Sequence, residues 1–190
     1  MILSRLKERT SSLHEKIERT VDLPGRLQSL DSYSKLLARF YGFYRPLEQS
    51  LISLNGFSGL GLDLEGRLKT RFLVADLHSL GFSERSLGEL PMCAKIPYVS
   101  DLPDALGCLY VLEGATLGGQ IVRKQVRELH GLGATTGCSF FSSYGDQIRQ
   151  MWSEFCQVLT IYDVKHPEHA EQILATAEET FGRLEEWLSC

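Results

Sequence analysis

Leu109-Tyr110-Val111-Leu112-Glu113-Gly114-Ala115-Thr116-Leu117-Gly118-Gly119-Gln120 lies inside a long run of helical hydrophobic pattern and yet carries glycine at 114, 118 and 119. Glycine inside a helix costs about 1 kcal/mol relative to alanine, so Gly107, Gly114, Gly118 and Gly119 together forfeit roughly 3 to 4 kcal/mol. A helix that keeps them must be compensated by something it packs against or binds. Gly107, Gly114 and Gly118 follow one another at steps of seven and four, which puts them on one face and strips that face of side chains. A planar ligand can lie directly against such backbone, and the weakened helix can kink to open and close over it. Close packing of a second helix through small residues produces the same pattern, so the stretch alone leaves both readings open.

Outward from this stretch, apolar positions recur at spacings of three and four and the alternation expected of strands is nearly absent, so the chain reads as all-α. A first helix is expected from about Ser4 to Thr20, with Leu3, Leu6, Thr10, His14, Ile17 and Val21 on one stripe, ending near Leu23-Pro24-Gly25. Asp31 and Ser32 are expected to cap a second helix over Tyr33 to Leu54, closed by Asn55-Gly56. A third is expected over Leu64 to Leu80, followed by a connector containing Gly88, Pro91 and Pro97. The fourth starts after Asp101-Leu102-Pro103 and runs, with an interruption, to about Leu129. The segment from Gly131 to Gly137 reads as a loop, with a fifth helix from Ser143 to Tyr162 and a sixth from Pro167 to the end. No repeat or linker divides the chain, so residues 1–190 are expected to form a single domain with one core.

The formal net charge of -4, with both signs mixed along the chain, provides no basic field for nucleic acid or an anionic membrane and points to a small organic ligand. Five widely spaced cysteines, Cys93, Cys108, Cys138, Cys156 and Cys190, form no CxxC pair and read as reduced thiols of a cytoplasmic protein. Arg5, Lys7, Glu8 and Arg9 interrupt any apolar run at the N-terminus, and no stretch is expected to span a membrane.

His14 falls on the apolar stripe of the first helix, where a lone histidine is commonly a satisfied core residue. Glu18 lies one turn later, where its carboxylate can receive the imidazole Nδ1 proton and leave Nε2 free for a metal. Lys7, two turns earlier on nearly the same face, can reach an acidic group at the edge of a ligand bound to His14. His166 and His169 have a spacing that can bind metal, although Pro167 and Glu168 beside them mark an exposed helix entry. His78 and His130 lie near helix ends, where imidazole meets terminal carbonyls favourably. No Glu-x-x-His pair, GxSxG, P-loop or GxGxxG element occurs.

With these residues in view, the chain resembles the haem oxygenase family over essentially its whole length. Leu6 to His14 resembles the proximal helix, which places the axial iron ligand at His14 with Glu18 as its carboxylate partner. Phe40-Tyr41-Gly42-Phe43-Tyr44-Arg45-Pro46-Leu47-Glu48 is similar to the aromatic second helix. Leu109 to Gln120 resembles the distal helix, particularly of bacterial members such as those paired with bacteriophytochromes. Ala177 to Trp187 is similar to the last helix, whose aromatic, here Phe181, lines the pocket.

The resemblance implies a helical bundle with haem held between the proximal and distal helices. Haem would be both substrate and cofactor, ligated by His14 and covered by Gly114, Ala115, Gly118 and Gly119. It also implies oxidative cleavage to biliverdin with release of ferrous iron and carbon monoxide, using O2 and electrons from a partner such as a ferredoxin or flavoprotein reductase. Imidazole suits this chemistry better than thiolate, whose electron push favours O–O cleavage. A monomer or weak homodimer is expected.

The chain departs from mammalian-type members at Ala115, where those carry an aspartate that orders water near bound oxygen. Basic residues for the propionates carry over poorly beyond Lys7, with Arg149 as a substitute, so the resemblance leaves the cleaved meso position open. Two rival readings are a non-catalytic haem carrier or sensor of the same fold, and a thiaminase-like helical enzyme with a cysteine nucleophile.

Overall fold

The structure of the protein, a computed structural model, describes residues 1–189; Cys190, one of the five cysteines read as thiols, lies outside the described residues. Among the described residues the helices are α1 (Ile2–Val21), α2 (Leu23–Arg26), α3 (Leu30–Ile52), α4 (Leu64–Arg67), α5 (Thr70–Ser79), α6 (Glu84–Gly88), α7 (Leu102–His130), α8 (Ser139–Ser142), α9 (Ile148–Lys165) and α10 (Ala170–Leu188). They include no strand, in keeping with the all-α reading. Short 3-10 turns stand at Phe57–Leu60, Gly145–Gln147 and Pro167–His169.

Local chemistry sets most boundaries, and in several places it moves the expected one. Helix α3 begins at Leu30 because the Ser29 hydroxyl accepts from the Ser32 amide at 3.1 Å. Ser29 rather than Asp31 or Ser32 is therefore the cap; Asp31 sits in the first turn, where an anion suits the helix dipole. The expected third helix is two, because Leu68 is extended between α4 and α5. The Glu48 carboxylate reaches over from α3 and accepts the Lys69 and Thr70 amides at 2.6 and 3.0 Å, which starts α5 afresh. Helix α7 starts where Asp101 accepts the Asp104 amide at 3.2 Å, and it ends at Gly131 in the left-handed conformation, φ 68°. Between those points it is unbroken, so the expected interruption at the glycines does not occur.

The expected fifth helix starts late, at Ile148, because residues 139–142 form the separate turn α8. Buried Asp76 on α5 holds that turn, accepting the Ser139 and Phe140 amides at 2.6 and 2.8 Å and the Ser139 hydroxyl at 2.6 Å. Ser143, at φ 36°, then reverses the chain.

Helix α10 forms the spine of the core, packed along α7 on one side and α1 on the other, while α3 rests on α5 and α10. Surface charges align α1 with α10: Arg5 pairs with Glu171, Arg9 with Glu171 and Glu178, and Lys16 with Glu185. Such exposed pairs contribute little stability but fix the helix register. Among the described residues one helix, α7, is long and apolar enough to cross a membrane, contrary to the sequence expectation. Its composition follows instead from burial, since most of that window is inside the bundle.

Candidate functional site

A cavity of about 760 Å³ opens between α1 and α7, within the range of about 300 to 1,000 Å³ usual for small-molecule sites. From α10 come Phe181, Leu184 and Leu188, and from α8 come Phe140 and Phe141. The apolar wall thus depends on Asp76, whose hydrogen bonds hold the two α8 aromatics in place.

On the α1 side, His14 faces this space with its side chain 56% exposed, its ring edge-on to Phe181 at a centroid distance of 6.0 Å. Nδ1 stands 3.6 Å from Glu18 Oε1. With Nδ1 turned toward a carboxylate, Nε2 is the nitrogen left for a metal. Lys7 and Glu18 line the same opening.

On the α7 side, the glycines divide between the two readings that the sequence left open. A Cβ on Gly118 would meet nothing within 4 Å, and one on Gly114 only the Trp152 ring at 3.7 Å. These two leave room at the cavity. A Cβ on Gly107 would stand 2.6 Å from the Ile173 carbonyl oxygen, and one on Gly119 2.8 Å from that of Phe141. Those two serve close packing of α10 and α8 against α7. Gly119 touches the cavity, but its missing side chain answers to Phe141.

The contrast yields a prediction with opposite signs. Gly118→Leu is expected to hold or raise apoprotein stability, by up to about 1 kcal/mol from helix propensity, while hemin affinity falls. Gly119→Leu is expected to overpack and cost roughly 1 to 3 kcal/mol. Thermal melting of both apoproteins, with hemin titration of Gly118→Leu, decides the matter. A destabilised Gly118→Leu with unchanged hemin affinity would remove Gly118 from the site.

Immediately behind Gly114 lies a buried ionic cluster that the sequence reading did not assemble. Glu113, 1% exposed, accepts from Lys69 Nζ at 2.9 Å, from the Tyr144 hydroxyl at 2.6 Å and from the Arg67 guanidinium. Lys69 Nζ also donates to the Tyr144 oxygen at 2.6 Å and to the Arg67 carbonyl, so its three protons are all engaged. Burial lowers the Lys69 pKa, and the Glu113 carboxylate opposes that shift. The Tyr144 phenol is pushed well above its ordinary range, first by burial and then by Glu113. Lys69 and Tyr44 reach the cavity wall. A signal was available, because Glu113 is the one charged residue between Asp104 and Arg123 on an otherwise apolar helix, and buried carboxylates need partners.

The structure gathers Lys7, His14, Glu18, Gly114, Ala115, Gly118, Gly119 and Phe181 around one cavity. Arg149 is not among the lining residues; it stands exposed at the start of α9. Ala115 is at the cavity and brings no polar group. None of the four described cysteines lines the cavity, and burial raises all four thiols, Cys108 to about 12. Among the described residues, none offers the cysteine nucleophile on which the thiaminase-like reading depends.

Comparison with known proteins follows the same line. Residues 1–189 match the family described as "Heme oxygenase". Among solved structures, the fold is similar to the haem oxygenase of Neisseria meningitidis, solved with NO and CO bound, at TM-score 0.81 and 20% identity, covering 99% of this chain and 90% of that one. It is also similar to haem oxygenase from Leptospira interrogans, at TM-score 0.77 and 19% identity, covering 99% and 98%. A third is haem oxygenase-1 of the cyanobacterium Synechocystis in complex with haem, at TM-score 0.73 and 18% identity, covering 98% and 90%. No curated protein matches.

Proposed function

Because the chain belongs to the haem oxygenase family, we propose that it binds haem through His14 and opens the ring to biliverdin, releasing ferrous iron and carbon monoxide. The observation that carries this reading is the facing of His14 and the side-chain-free positions Gly114 and Gly118 across one largely apolar cavity. When bound, haem supplies the iron at which dioxygen is reduced.

The protein's own residues then have distinct tasks. His14 Nε2 would ligate the iron, and Glu18, whose Oε1 stands 3.6 Å from Nδ1, would draw in to accept the Nδ1 proton and so keep the ring in the correct tautomer. Gly114 and Gly118 leave space on the opposite side and bring backbone close to the ring. Phe140, Phe141 and Phe181 exclude bulk water. Lys7, which lines the same cavity, would meet a propionate carboxylate. Ala115 has no group to order water; the buried Lys69, Tyr144 and Glu113 cluster lies behind Gly114, and Lys69 is the member that also lines the cavity. Electrons come from a separate donor, such as a ferredoxin or flavoprotein reductase, and the four described cysteines, all unpaired, suit the cytoplasm.

Hemin titration followed by addition of a reductant in air tests the proposal. A Soret band that forms at one hemin per chain and then gives way to bilin absorbance is the expected result. A Soret band that persists through reduction and reoxidation would make the protein a haem carrier.

A further inference from the structure

At the joint between α9 and α10, remote from the haem cavity lining, His166, Glu168 and His169 bring three potential metal ligands together. His166 Nδ1 lies 3.6 Å from Glu168 Oε1, His169 Nε2 lies 3.9 Å from the same oxygen, and all three ligand atoms fall within 4.8 Å of one another. We propose that this turn is a surface site for a divalent first-row transition ion, with two imidazoles and one carboxylate as protein ligands and water completing the shell.

The local backbone already makes the required turn. Pro167 fixes φ at its start, and the His169 amide donates to the His166 carbonyl at 3.0 Å, so residues 166 and 169 fall on one side of a single 3-10 turn, with Glu168 between them in sequence. His169 is further oriented by Tyr162, whose hydroxyl oxygen lies 2.9 Å from Nδ1. Metal ligands characteristically have their second ring nitrogen held in this way, with Nδ1–H donated and Nε2 directed at the ion. Tyr162 itself is buried in the core, which anchors the partner that orients the exposed ring.

The imidazole rings of His166 and His169 now lie nearly parallel, 17° apart, with centroids 5.5 Å apart. Around an ion with bonds of about 2.0 to 2.1 Å the ligand atoms would stand about 3.3 Å from one another. The side chains must therefore rotate and draw in by roughly an ångström. They are free to do so, since the His166, His169 and Glu168 side chains are 44%, 35% and 62% exposed. Two nitrogens and one carboxylate oxygen favour zinc, cobalt, nickel or ferrous iron over calcium and magnesium, which prefer all-oxygen shells. Because His166 ends α9 and His169 precedes α10, an ion there would tie the two helices at their joint.

The test uses the full chain without an affinity tag, titrated with Co2+ by visible absorbance and with Zn2+ by calorimetry. One ion per chain in the micromolar range is expected, together with a higher melting temperature in Zn2+. His166→Ala and His169→Ala should each weaken binding at least tenfold, and Tyr162→Phe by about tenfold. Mg2+ should not compete. If an alanine variant loses helicity, His166→Gln replaces it, keeping the size of the side chain. Wild-type binding weaker than millimolar, or variants that bind Zn2+ as wild type does, would overturn the proposal, and neither result bears on the haem reading.

Discussion

His14→Ala is expected to abolish the histidine-ligated haem spectrum and turnover together, while leaving the apoprotein's stability within about 0.5 kcal/mol of wild type. The separation follows from geometry, because the imidazole is more than half exposed to the cavity and contributes little to the core, touching Phe181 at its edge. Its removal therefore deletes the proposed ligand and very little packing. Added imidazole should enter the space left behind and restore part of the spectrum. A variant with an unchanged Soret band that still made bilin would move the axial ligand elsewhere.

The second large effect is expected at Glu113. Glu113→Ala would leave Arg67 and Lys69 buried opposite no carboxylate on α7, and breaking a buried ion pair from one side costs about 3 to 5 kcal/mol. For a domain of this size that corresponds to a fall of roughly 6 to 20 °C in melting temperature. The loss should carry a pH signature. Glu113 is the main influence holding the Lys69 pKa up against burial, so its removal lowers that pKa further in the folded state. The folded variant then binds fewer protons than its unfolded chain over a wider range below the ordinary lysine value, and its stability rises with pH there. Its deficit relative to wild type should accordingly shrink toward alkaline pH. Melting curves at several pH values check both statements; a Glu113→Ala apoprotein that melts within a degree or two of wild type would contradict them.

Much of the site was legible because it lies on two continuous helices. His14 and Glu18 are one turn apart, and Gly114 and Gly118 share a face, so helical periodicity alone placed each pair. Periodicity could not tell Gly118, with open space beside it, from Gly119, pressed against the Phe141 carbonyl, because the difference lies in what packs opposite. The ionic cluster was hidden for a similar reason, as Lys69 and Tyr144 come from 44 and 31 residues away. The break between α4 and α5 likewise depends on Glu48, a residue of another helix. Arg149 entered through resemblance alone, and it lies on the exposed face of the first turn of α9.

Ring opening of the bound haem by this chain is expected to be read from its products. It is tested most directly by a single turnover: the purified haem complex is reduced in air, the pigment is extracted for mass spectrometry, and evolved gas is trapped by reduced myoglobin. The expected products are a bilin that has lost the iron and one meso carbon and gained two oxygens, with one carbon monoxide per haem. Recovery of intact haem with no carbon monoxide would contradict it.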